Sequence, residues 1–240
     1  MLRHCAISAV TALALASLAF PAAAQSLTVM PVVINMQPGQ LAATISISGQ
    51  GGAETSYQVR AFAWSQKDGT EQLDPTGDVL LSPPLGVIPA NATQVVRIVI
   101  RKPPRDRESV YRLLLDQVPP PSAPGTVRIA LRLSLPIFVE PATRAVPHIE
   151  WRVERDSNSM WLVAVNNGTR HERIHDIVLS TGTTVFKPQG DSSPYLLAGA
   201  TRRFRLTGDG VLPAAGASLH LTAQSDGGKI DVTVPATLQL

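Results

Sequence analysis

Four histidines lie downstream of the N-terminal apolar run: His148, His171, His175 and His220. Histidine serves metals, proton transfer and nucleophile activation, so these side chains have the widest chemical range in the chain. His171 and His175 are separated by three residues, a spacing that puts two ligands on one face of a helix. Here they sit in RHERIHDIVL, which alternates like a strand, and at that spacing the rings stand about 13 Å apart. A solvated strand face is therefore expected there, and no metal site. No Gly-rich phosphate loop opens a helix and no GxSxG elbow is present. The expectation is that the protein is not an enzyme, with no catalytic residue, cofactor or metal.

A different kind of chemistry is offered by VRIALRLSLPIF. Val127, Ile129, Leu131, Leu133 and Leu135 place five large apolar side chains on one face, while Arg128, Ala130, Arg132, Ser134 and Pro136 take the other. On pattern alone the row lines the core of its own sandwich.

The elements around these residues are short and β-like. LTVMPVVINM, LAATISISG, SYQVRAFAWSQ, TQVVRIVIR and VYRLLLDQVP read as strands, with LLSPPLGVIPANAT a short strand broken by prolines. Lys67 to Asp78 and KPPRDRES read as loops, and PPPSAPG as a turn-rich connection. The pattern restarts after Pro141, Ala142 and Thr143 with IEWRVE, SMWLVAVNN, RIHDIVLST, ATRRFRLTG, SLHLTAQS and KIDVTVPATL. No segment carries a convincing helical stripe. The expected fold is all-β: two sandwiches, 25–142 and 143–240, joined by a short hinge.

The first residues have the form of an export leader. Arg3 precedes an Ala- and Leu-rich run ending near Phe20, Pro21 breaks it, and Ala22 to Ala24 supply small residues before Gln25. The run is shorter than the roughly 20 residues a spanning helix needs, so a cleaved signal over 1–24 is expected and no membrane anchor. Cys5 is the only cysteine, so the exported chain holds its fold by its core. The formal charge of +3 loses Arg3 and no acid with the leader. The excess is small and dispersed, which disfavours nucleic acid as a partner.

RDRESVYRLLLDQVP, the Pro-rich loop and RIALRLSLPIFVEP together resemble the signature of periplasmic pilus and fimbrial assembly chaperones (PapD-like). LSPPLGVIPANATQVVRIVI upstream and VAVNNGTRHERIHDIVL downstream extend the resemblance over most of the exported chain. The variants YRLLLDQ and LSLPIFVEP look most like the spore-coat-U or archaic chaperone-usher subtype.

The resemblance implies two Ig-like domains and a periplasmic chaperone that binds, folds and caps secreted fimbrial or pilin subunits before delivery to an outer-membrane usher. Val127, Ile129, Leu131, Leu133 and Leu135 would form the donor strand, completing both the subunit's ladder and its core. Many relatives anchor the subunit's terminal carboxylate with an Arg in the first strand and a Lys in the last. This sequence has no Arg in LTVMPVVINM, and Pro136 stands where the Lys is expected. Arg112 is the candidate anchor in their place, since a guanidinium grips a carboxylate through two hydrogen bonds. Its other reading is a pair with Asp116 or a side chain in solvent. A self-capping dimer is expected of an exposed strand without its subunit. Two other functions stay open: an Ig-like adhesion or structural module of the cell envelope, and a hydrolase on a sandwich scaffold.

Overall fold

The computed structural model describes residues 26–238 apart from 52, 68, 122–124, 126–128 and 191–192. The expected leader, its cleavage point before Gln25 and Val127 lie outside the described residues. The first ten strands are β1 (Ser26–Met30), β2 (Ile34–Met36), β3 (Ala42–Gln50), β4 (Thr55–Lys67), β5 (Thr70–Pro75), β6 (Val79–Ser82), β7 (Leu85–Ile88), β8 (Thr93–Ile100), β9 (Ser109–Val118) and β10 (Arg132–Val139). They form two packed sheets. One runs β1-β3-β8-β6; the other runs β2-β10-β9-β4-β5, with β7 also paired to β4.

Alternation in the sequence sets which side chains meet between the sheets. Ile45 and Ile47 of β3 and Val96, Ile98 and Ile100 of β8 face Tyr57 and Val59 of β4, Leu113 and Leu115 of β9, and Ile137 of β10. All are buried. β-branched and aromatic residues suit this half-buried pleated surface, and each contributes roughly 1.5 to 3 kcal/mol of burial energy.

After Val139 the chain crosses to β11 (Ile149–Arg155), β12 (Met160–Asn166), β13 (Glu172–Thr181), β14 (Thr184–Pro188), β15 (Tyr195–Leu196), β16 (Thr201–Gly208), β17 (Ser218–Ser225) and β18 (Gly228–Leu238). Their order is β14-β16-β12-β11-β18-β17-β13-β15, and β14 pairs with β13 as well. The sheet thereby folds back on itself into the two layers of a second Ig-like sandwich. Asn166, from the Asn-turn of VAVNNGTR, is fully buried and joins the hinge to this sandwich. Its side-chain oxygen accepts from the backbone N–H of His148 and Gly168, and its amide donates to the carbonyls of Arg170 and Leu196.

Three segments depart from the sequence expectation. Lys67 to Asp78, expected as a loop, contains β5, whose six residues are all exposed. An outermost strand with both faces in solvent has no apolar alternation to betray it. LTVMPVVINM is two strands in different sheets, because Pro31 lacks the donor needed to continue a ladder. LLSPPLGVIPANAT likewise divides into β6 and β7, one in each sheet.

Candidate subunit-binding strand and interdomain cleft

The apolar row of 127–135 does not stay in one environment. β10 begins at Arg132, where it pairs with Asp116, and runs antiparallel to β9 through Val139. Leu135 is 3% exposed and belongs to the core of its own sandwich, so it is a core residue here and not a partner-facing one. Leu133 is half-buried and packs against the same core. Leu131 is 40% exposed and Ile129 is 90% exposed. The same parity that buries Leu135 therefore carries the row out of the core and past the end of the regular strand.

The backbone leaves the core in the same way. Gln117 N–H donates to Leu131 C=O at 2.9 Å, so positions 131, 133 and 135 form the hydrogen-bonded pairs with β9. By antiparallel alternation, the N–H and C=O groups of Arg132 and Ser134 point to the opposite side. Among the described residues, that side is covered by β2 alone, opposite Ile137, Phe138 and Val139. The stretch from Arg132 to Ser134 is thus an open edge that can accept another strand. Pro136 stands where the cover by β2 begins and brings no donor.

The start of β10 is pinned by charge. Asp116 of β9 accepts hydrogen bonds from Arg60 Nη2 of β4 at 2.7 Å and from Arg132 Nε of β10. Burial by itself would raise the Asp116 carboxyl, but the hydrogen bonds and charges of Arg132 and Arg60 outweigh it and hold the group below the usual carboxylate range. A depressed carboxyl stabilises the fold above its ordinary range, and the contribution is lost as pH falls through the native value. Asp116→Asn at neutral pH is therefore expected to lower the protection factor of the Leu133 amide, and acidification of the parent protein through the native Asp116 value should lower it too once the slower intrinsic exchange in acid is divided out. Equal exchange in the two proteins would show that the clamp does not hold the strand.

Farther along β10 the two sandwiches meet. Trp64 of β4 and Phe138 of β10 pack into the second sandwich's core, with ring centroids 6.0 Å apart. Tyr195 of β15 sits edge-on to Trp64 at 5.8 Å, and His171 stacks on Phe138 at 3.6 Å. His171 is buried, not solvated as its strand pattern implies. Its backbone N–H donates to Glu108 Oε2 at 3.0 Å and its Nδ1 lies 2.8 Å from the same oxygen. Glu108 N–H in turn donates to Thr169 C=O, and Gln66 exchanges hydrogen bonds with the backbone of Tyr195 and Leu197. His175 turns away to solvent beside Asp176, so the two histidines share no site.

Arg112 lies in this cleft. It is 8% exposed, it sits directly opposite Pro136 in the β9–β10 register, and its guanidinium lies 3.6 Å from the Trp64 ring centroid. Its ionic partner is Glu71 of β5 at 3.5 Å. Asp116, the other partner expected from the sequence, is occupied by Arg60 and Arg132 instead. Burial pushes the Arg112 guanidinium below its usual value, and Glu71 partly offsets this.

Arg202 of β16 is the residue the sequence reading missed. It is buried on the side of the second sandwich that faces the cleft, donates to the carbonyls of Ser193 and Tyr195, and feels the charge of Glu71. The signal was present: in TRRFRL, Arg202 shares strand parity with the buried Phe204 and Leu206. A charged residue on an apolar face marks a specific partner.

Residues 26–145 match the family described as pili and flagellar-assembly chaperone, PapD N-terminal domain. The chain is 33% identical over 98 residues to the chaperone protein PapD of Escherichia coli, covering 38% of this chain and 41% of that protein. It is 31% identical over 152 residues to the chaperone protein FimB/FhaD of Bordetella pertussis, covering 58% of this chain and 60% of that one. The matches thus span less than two thirds of either relative. Among solved structures, one similar in fold is the CsuC–CsuE chaperone–tip adhesion subunit pre-assembly complex from archaic chaperone-usher Csu pili of Acinetobacter baumannii. Its TM-score is 0.65 at 18% identity, over 90% of this chain and 100% of that one. The Salmonella enterica SafA pilin in complex with the SafB chaperone gives 0.59 at 17% identity, over 88% and 96%. At these identities the likeness is one of fold.

Proposed function

Because the chain belongs to the family of pili and flagellar-assembly chaperones, we propose that it is a periplasmic chaperone that holds fimbrial subunits folded by lending them the emerging part of β10. The observation that carries this reading is the coincidence of an open ladder edge at Arg132 to Ser134 with apolar side chains walking out of the core at Leu133, Leu131 and Ile129. A subunit lacking its last strand has two deficits, unpaired backbone and an uncovered core. A strand with large residues at alternate positions meets both. Val127 would continue the row. Leu135 anchors the strand to its own domain, which is what a donor needs if it is to stay attached while its free part is shared.

Arg112 serves as the anchor for the subunit's terminal carboxylate. It stands across the ladder from Pro136, on the same outward face of the sheet, so a cation absent from position 136 is supplied by the adjacent strand. Guanidinium geometry allows two parallel hydrogen bonds to a carboxylate. The leader over 1–24 would direct the chaperone to the periplasm, and a capped subunit would pass to an outer-membrane usher. In the absence of subunit, two open edges would pair as a self-capping dimer.

Tagged protein expressed with its leader should pull down a small secreted subunit from periplasm in equal stoichiometry. Arg112→Ala should weaken that complex about tenfold or more, the scale of a charge-assisted bidentate contact. The loss should vanish when the subunit's terminal carboxylate is amidated. Equal losses with both subunits would remove Arg112 from the anchoring role, and recovery of no subunit would count against the chaperone reading.

A further inference from the structure

The cleft contains more positive charge than its own acid balances. Arg112 and Arg202 are contributed by opposite sandwiches, each is 8% exposed, and among the described residues Glu71 is the one carboxylate acting on both. Buried charges are stable when paired and hydrogen-bonded, and unpaired ones are costly. Here two guanidiniums share one acid, and the sharing is loose. Glu71 approaches Arg112 Nη2 at 3.5 Å, the long limit of a hydrogen bond, and 37% of its side chain is in solvent. Arg202 is satisfied mainly by the carbonyls of Ser193 and Tyr195. Glu71 also rides on β5, an outer strand that among the described residues pairs with β4 alone and is exposed along its whole length. Moving its side chain disturbs no core.

We propose that Glu71 is a resident stand-in for the subunit's carboxylate: it occupies the Arg112 guanidinium in the free chaperone and is displaced when a chain terminus enters the cleft. This rests on the reading of Arg112 as anchor. The incoming carboxylate makes two short hydrogen bonds where Glu71 makes one long one, so exchange is favourable. The competitor also weakens every carboxylate ligand, because each must first evict Glu71. Its presence keeps the buried guanidiniums partnered while no subunit is bound, and it sets a threshold that a lone carboxylate without the flanking strand contacts does not pass easily.

The test titrates the intact exported protein at low salt with N-acetylglycine, a minimal chain terminus, and with N-acetylglycinamide, its uncharged analogue. Arginine side-chain resonances report binding. The parent protein should show weak, carboxylate-dependent shifts, and Glu71→Gln should bind N-acetylglycine about two- to fivefold more tightly, the scale of releasing one partly exposed ion pair. Arg112→Ala should abolish the shifts in either background, and Arg112→Lys, which keeps charge and cleft packing, should retain part of them. The amide should shift nothing.

If Glu71→Gln binds the probe no better than the parent while Arg112→Ala still abolishes binding, the anchor stands and the stand-in role is overturned. If Arg112→Ala and Arg112→Lys bind as the parent does, or if no carboxylate-dependent shift appears in any protein up to the solubility of the probe, both fall.

Discussion

Replacing Ile129 and Leu131 together with aspartate is expected to abolish subunit capture while leaving the free protein as stable as before. The two side chains are exposed, so neither change opens a cavity or buries a charge in the free chain. Surface substitutions of this kind stay within about 0.5 kcal/mol of the parent. In a complex each side chain would contribute roughly 1.5 to 3 kcal/mol of transfer energy. Losing both would cost roughly a hundredfold to ten-thousandfold in affinity before the cost of burying two carboxylates is added.

Leu135→Ala is the informative contrast. That side chain lies in the sandwich core, and its truncation should cost the free protein about 2 to 5 kcal/mol. Denaturation curves and co-purification read the two effects separately. A double aspartate variant that unfolds, or that still captures subunit, would show that the exposed part of the row has no donor role.

The second large effect lies at the junction of the sandwiches. Glu108→Ala should destabilise the protein by about 2 to 5 kcal/mol, because it leaves the backbone N–H and the Nδ1 proton of a buried His171 without an acceptor, each worth about 1 to 3 kcal/mol. Glu108→Gln retains one acceptor oxygen and should recover part of the loss. Trp64 and Phe138 tie the first sandwich to the second one's core, so the loss should appear as a lower unfolding midpoint together with freer motion about the hinge, read as a broadened scattering envelope and faster proteolysis between Pro141 and Pro147. An unfolding midpoint equal to the parent's would show that the stack of His171 on Phe138 holds the junction without Glu108.

Glu71 and Arg202 show where sequence reading stops short. Arg202 was detectable, since its parity within TRRFRL places it with Phe204 and Leu206. Glu71 was not, because TEQLDP has no apolar face and an outer strand exposed on both sides leaves no period. His171 reads as a strand-face histidine from local pattern. It is buried by Phe138 and Glu108, which lie some 30 and 60 residues away along the chain.

Local alternation was enough to determine that this chain is all-β, which residues of most strands face inward, and that Val127 to Leu135 form one apolar row. These follow from a side-chain period of two, which needs only neighbouring residues. Tertiary structure alone decided that the row divides, with Leu135 in the core, Leu133 at its margin and Leu131 and Ile129 outside it. Period is a property of the strand, whereas burial depends on whether another strand lies beside it. Here β2 covers Ile137 to Val139 and stops. The same holds for Arg112, whose type was legible but whose partners, Trp64 and Glu71, are set by the packing of β4 and β5 beside it.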